Sequence, residues 1–238
     1  MKRKVAKEKT YHPFQKNDSL TNEGQINYYH KMDIPKTLTD ICNFLIQQNM
    51  KLSSQFEDGR INASLNESEL LNEIKNNFNV QIPKSRAWFD FAVETNTEFL
   101  PVNIKVTDTT HADNLNCKLG IYYALTGLLP IFPNEVNWLT FFEKLKENLG
   151  KDESKDYYFL VVNKKDTKDI FINALKGLQE LQANGNNLPF QCKWETNKLY
   201  HKRSFSEAKE FVLSVFGKSI KLRAEMYFQF KRFFPEYV

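Results

Sequence analysis

The stretch Asp90-Phe-Ala-Val-Glu-Thr-Asn-Thr-Glu-Phe-Leu-Pro-Val-Asn-Ile-Lys105 decides how this chain of 238 residues is read. Two runs rich in β-formers, Ala87–Thr95 and Glu98–Val106, flank Asn96-Thr97, and this pattern predicts a hairpin. Side chains alternate along a strand, so Phe99, Pro101, Asn103 and Lys105 share one face and Leu100, Val102 and Ile104 the other. Asp90 stands at the start of the first strand. Folding back at 96–97 returns the chain to it at Asn103 and Lys105, so a carboxylate, a carboxamide and an ammonium are expected to converge.

Such a trio suits phosphodiester cleavage. A divalent cation neutralises charge on the scissile phosphate and lowers the pKa of a bound water. Mg²⁺ prefers hard oxygen ligands and keeps several waters, so Asp90 and the amide oxygen of Asn103 are candidate ligands. Lys105 can orient or deprotonate the water and steady the developing negative charge. By itself Asp-x(n)-Asn-x-Lys is a loose pattern, since a solvated strand edge also ends in Asn and Lys. The surroundings therefore matter.

Outward from the hairpin, residues 36–50 follow Pro35 with amphipathic helical spacing. Ile61, Leu65, Leu71, Ile74 and Phe78 repeat at roughly helical intervals over 59–78. That segment is either one long helix after Asp58-Gly59 or a shorter one capped by Asn66 and Glu69. A helix is expected from Asp113 to Thr126, with Asp113 as its cap, and another from near Asn134 to before Gly150. Tyr157–Val162 is a continuous bulky apolar run, the signature of a buried central strand. Lys168–Ala174 and Pro189–Thr196 look like further strands, with a turn over Asn184–Asn187 between them. A long helix closes the chain from Ser204 to Phe230, kinked near Gly217. This order predicts an α/β fold: one mixed central sheet flanked by helices, with 1–35 as a basic, polar arm and 36–238 as a single domain.

Hydrophobic residues make up 41% of the chain, enough for a sizeable core, and no apolar run approaches a bilayer span. The basic start, Met1 to Lys9, lacks the apolar stretch of a secretory signal. The three cysteines, Cys42, Cys117 and Cys192, form no Cys-x-x-Cys pair, which argues against a zinc site or a disulfide framework and for a reducing cytoplasm. Net charge is only +4, but 193–232 is clearly basic, as a nucleic-acid contact would require.

At Asp90, Asn103 and Lys105 the chain resembles the PD-(D/E)xK nucleases, and among them the type II restriction endonucleases. Asn103 stands where most members carry Asp or Glu, and Leu100-Pro101-Val102-Asn103-Ile104-Lys105 is similar to a minority Asn-x-Lys variant. The spacing from Asp90 to Asn103 is similar to that of the HincII-like, EcoRV-like branch, which cuts leaving blunt ends. Asp113–Asn116, Phe190–Lys193 and Ser204–Phe211 follow in the order of that branch. The resemblance implies a restriction-endonuclease-like fold, Mg²⁺ as cofactor, and a homodimer cleaving both strands of a short palindromic DNA. It also implies an extra acid from the 59–78 helix. Glu67 and Glu73 are the candidates, with Glu73 preferred because it neighbours Leu70 and Ile74.

For DNA contact, the polar loop after Lys105 supplies Thr107, Thr109, Thr110, His111, Asn114 and Asn116. Asn is suited to bidentate bonding of adenine. The basic run Lys193–Arg203 adds Lys193, Asn197, Lys198, Tyr200, His201, Lys202 and Arg203, with Trp194 and Tyr200 interleaved, for phosphate contact. Two alternatives remain: a sequence-specific DNA-binding protein that no longer cuts, and a DNA repair nuclease on the same scaffold.

Overall fold

The hairpin forms where the sequence places it, though its first strand is shorter. In a computed structural model, β1 (Phe91–Glu94) pairs antiparallel with β2 (Phe99–Thr107), Phe91 opposite Val102 and Glu94 opposite Phe99. The Thr95 amide donates to the Glu98 carbonyl at 2.9 Å and closes the turn. The structure describes residues 34–48, 59–84, 87–132 and 137–238, with side chains from residue 65 in the second segment. All belong to the unit Met32–Val238. The basic arm expected over 1–35 lies outside the described residues except for Ile34 and Pro35.

β2 also pairs in parallel with β4 (Tyr158–Asn163), Val102 opposite Tyr158 through Thr107 opposite Asn163. A parallel pair needs a long crossover. Here the connection includes β3 (Ala112–Leu115), α3 (Lys118–Thr126) and α4 (Trp138–Asn148). β5 (Asp166–Ala174) then lies antiparallel to β4, giving a mixed sheet in the order β1-β2-β4-β5. Tyr158 to Val162 are all buried, so the apolar run marks a strand covered on both faces. The architecture is mixed α/β.

α1 (Lys36–Gln48) turns Leu38, Ile41, Cys42 and Leu45 inward and packs on β5, where the Cys42 thiol meets the Ile170 carbonyl at 3.4 Å. α2 (Gly59–Asn77) is one uninterrupted helix, packed on β2 with Leu70 and Ile74 fully buried. Asn66 is therefore a buried residue inside the helix and not its cap. Asn134 lies outside the described residues, and α4 is capped by Asn137, whose side chain accepts from the Thr140 amide at 2.8 Å.

A second, three-stranded antiparallel sheet was not expected. β3 pairs with β7 (Phe190–Lys193), which pairs with β6 (Gln182–Ala183). Asp113 therefore lies in a strand and caps no helix, and α3 begins only at Lys118. The partner of β3 is nearly eighty residues away in sequence, so a local reading sees only an Asx residue before an apolar helix. The expected strand over Pro189–Thr196 ends early, in a 3₁₀ turn at Glu195–Asn197.

α5 (Phe205–Phe233) is capped by Ser204 and Glu207 in a reciprocal box. It passes through Gly217 as one helix, where a kink was expected. Among the described residues no helix is long and apolar enough to cross a membrane.

Candidate active site

Asp90 directly precedes β1 and continues its ladder, its amide donating to the Val102 carbonyl at 2.8 Å. That bond turns the carboxylate toward β2. Its Oδ2 accepts from the Asn103 carboxamide nitrogen at 2.7 Å and from the Ile104 amide at 2.6 Å. A carboxylate only accepts, so Asn103 must present its nitrogen to Asp90, and its oxygen points elsewhere. Two residues on, and on the same face of β2, the Lys105 ammonium donates to the Asn114 carbonyl at 3.3 Å. The hairpin thus brings Asp90, Asn103 and Lys105 together.

The acid that joins them from α2 is Glu67. Its pKa is pushed up to about 7, first by burial, then by the negative charge of Asp90, with Lys105 opposing and Asp113 adding to the rise. Burial also raises Asp90, while the Ile104 amide and Lys105 pull it down. Glu67, Asp90, Asp113 and Lys105 therefore share one electrostatic neighbourhood: three acids and one base. Glu73, the preferred candidate from the sequence, is not part of it. Six residues further along a helix is about 9 Å of rise and two-thirds of a turn of rotation. The signal for Glu67 was present, because Glu67, Leu70 and Ile74 fall at i, i+3 and i+7, on one stripe. Asp113 is held by the buried Trp194, whose indole nitrogen donates to its carboxylate at 2.9 Å.

The two carboxylates and the Asn103 oxygen are hard donors of the kind Mg²⁺ takes, and one lysine does not balance the local negative charge. Among the described residues, no three of His, Cys, Asp and Glu group closely enough to hold a metal on their own. A cation at this site would rest on Asp90 and Glu67, with water completing its shell; the Asn103 oxygen, expected from the sequence as a ligand, is turned away from Asp90 by the bond that its nitrogen makes.

The nominated DNA-contact residues divide into two sets. Thr110, His111, Asn114, Asn116, Lys193, His201 and Lys202 are exposed, and Thr107 is half-buried. Asp108 pins their loop. It pairs with the Lys165 ammonium at 2.5 Å and with His111 at 2.9 Å, and these partners hold its carboxyl well below the usual range.

The other nominated residues are structural. Thr109 is buried, accepting from Asn163 through its hydroxyl and from the Glu195 amide through its carbonyl. Asn197 is wholly buried, bonded to Glu180 and Lys193. Lys198 pairs with Asp169 at 2.6 Å. The Tyr200 ring lies against Gly177. Arg203 donates to the Lys176 and Leu178 carbonyls and lies 4.1 Å over the Phe211 ring. A basic run looks alike in sequence whether its groups meet phosphate or the fold's own carbonyls.

Asn114 was nominated from the sequence, but not the row of carboxamides to which it belongs. Asn114, Gln191 and Gln182 stand in register across β3, β7 and β6. The Asn184 amide nitrogen bridges the Asn114 and Gln191 side-chain oxygens at 2.9 and 3.0 Å. This carboxamide row adjoins Lys105 through Asn114. Compared with protein-family models and with curated proteins, the chain matches none of them.

Proposed function

We propose that this protein is a Mg²⁺-dependent endonuclease cutting both strands of a short palindromic DNA as a homodimer, in the manner of the type II restriction enzymes its hairpin resembles. The observation that carries the reading is the convergence of Glu67, Asp90, Asn103 and Lys105 around β2 of a mixed sheet. Bound at Asp90 and Glu67, Mg²⁺ would supply Lewis-acid stabilisation of phosphate charge and a more acidic water. Lys105 directs its ammonium at the phosphate and the attacking water, offering donors where negative charge develops. Asn103 fixes the rotamer of Asp90 through its hydrogen bond. Asn114, Asn184 and Gln191 offer carboxamides beside the scissile position, suited to base edges.

The test is incubation of plasmid and phage DNA with the purified protein and Mg²⁺, with the fragment ends sequenced. Discrete fragments are expected. Lys105→Ala should cut at least about a hundredfold more slowly. Equal cutting by that variant would overturn the assignment.

The hydrogen bond from Asn103 to Asp90 favours a second reading, a DNA-binding protein on a nuclease scaffold, because it engages the aspartate without any cation. Specific gel shifts with no cleavage in Mg²⁺ or Mn²⁺ would select it. Asn103→Asp separates the two further: harm or an altered metal preference is expected if Asn103 serves catalysis.

A further inference from the structure

The last helix runs off the body of the protein with its apolar stripe intact. In its first half α5 buries Ala208, Val212, Val215, Phe216 and Ser219. Among the described residues, the last hydrogen bonds to the body are those of Arg223, which donates to the Gly185 and Asn186 carbonyls at 2.8 and 2.6 Å. From Lys221 to Val238 every residue is exposed.

The apolar pattern nevertheless continues. Leu222, Met226, Phe230 and Phe233 repeat at intervals of four, four and three. At 100° per residue they project over the same sector as Ala208, Val212 and Val215. They are 43%, 45%, 47% and 67% exposed, and Phe234 and Tyr237 extend the patch at 48% and 74%. Lys221, Glu225 and Arg232 occupy the opposite side of the helix. A stripe chosen for packing therefore continues for about three turns with nothing among the described residues against it.

We infer that the distal half of α5 is the interface with a second copy of this chain, paired helix against helix. The six exposed apolar side chains present on the order of 700 Å², close to the ~800 Å² each partner buries in a stable interface. A monomer rarely leaves a contiguous apolar patch of that size to water. The spacing of four, four and three is that of a helix-on-helix seam. A two-fold axis lets one stripe satisfy itself against its own copy. The inference does not rest on the nuclease reading, since such a dimer forms whether or not the protein cuts DNA.

The test is sedimentation analysis of the full chain without DNA, from about 1 to about 50 μM, a range that brackets micromolar dissociation constants. Twice the chain mass is expected at the upper concentration. The double variant Met226→Glu, Phe230→Glu should weaken association at least about a hundredfold, because unpaired carboxylates would enter the seam. Both residues lie beyond the body, so its circular dichroism spectrum should show a folded chain. Lys221→Ala, on the opposite side, should dimerise as the wild type does. A wild type that stays monomeric at about 50 μM, or a folded double variant that still dimerises as tightly, overturns the inference. So does a wild-type monomer that sediments only with anionic phospholipid vesicles.

Discussion

At the scale of single residues, the site turns on which way Asn103 points. Sequence parity placed Asn103 and Lys105 on one face, and the structure keeps them there. What parity could not convey is that the amide nitrogen faces Asp90, a consequence of the carboxylate's need for donors. Glu67 carries the clearest pH dependence. Its carboxyl ionises near 4.5 in the unfolded chain and near 7 in the folded one. Between those values the folded state holds the extra proton, so stability falls as pH rises through the window. Glu67→Gln should remove that decline. Discounted for partial solvent screening, the gain at pH 8 is about 1–2 kcal/mol, with little change at pH 4. Urea titrations of both proteins at the two pH values check this, and parallel pH profiles would show that Glu67 is not the group responsible.

At the scale of elements, legibility followed how local the signal was. The hairpin, the buried β4 and the start of α5 at Ser204 were readable because each is specified within about ten residues. β3 was not, because its partner β7 lies far along the chain and its own residues resemble a helix start. Gly217 suggested a kink, yet α5 continues through it. A Cβ built there meets nothing within 4 Å. Gly217→Ala should therefore stabilise the protein by about 0.5–1 kcal/mol, since glycine loses more backbone entropy in a helix than alanine. Thermal unfolding measures this, and a loss of stability would mean that the helix is not regular at this position.

At the scale of the whole molecule, Trp194 joins the two sheets. It follows β7, is fully buried, and packs at 5.2 Å on Phe159 of β4 and at 6.4 Å on Phe171 of β5. Its indole nitrogen holds Asp113 of β3 beside the candidate site. Trp194→Ala should cost about 3–5 kcal/mol in urea unfolding, as large aromatic truncations in a core do. A near-neutral effect would mean that the sheets are held together elsewhere. In sequence Trp194 looked like part of a nucleic-acid contact, because an aromatic residue amid lysines has that pattern whether it is buried or not.

Local sequence was sufficient for the hairpin and for the meeting of Asp90, Asn103 and Lys105, because a two-residue period and a short turn bring them together without help from the rest of the chain. Choosing Glu67 over Glu73, placing Asp113 in a strand, and sorting the basic run into exposed and structural groups needed the folded molecule. Each depends on which surface an element turns toward a distant partner, and that is set by burial and pairing across the whole chain.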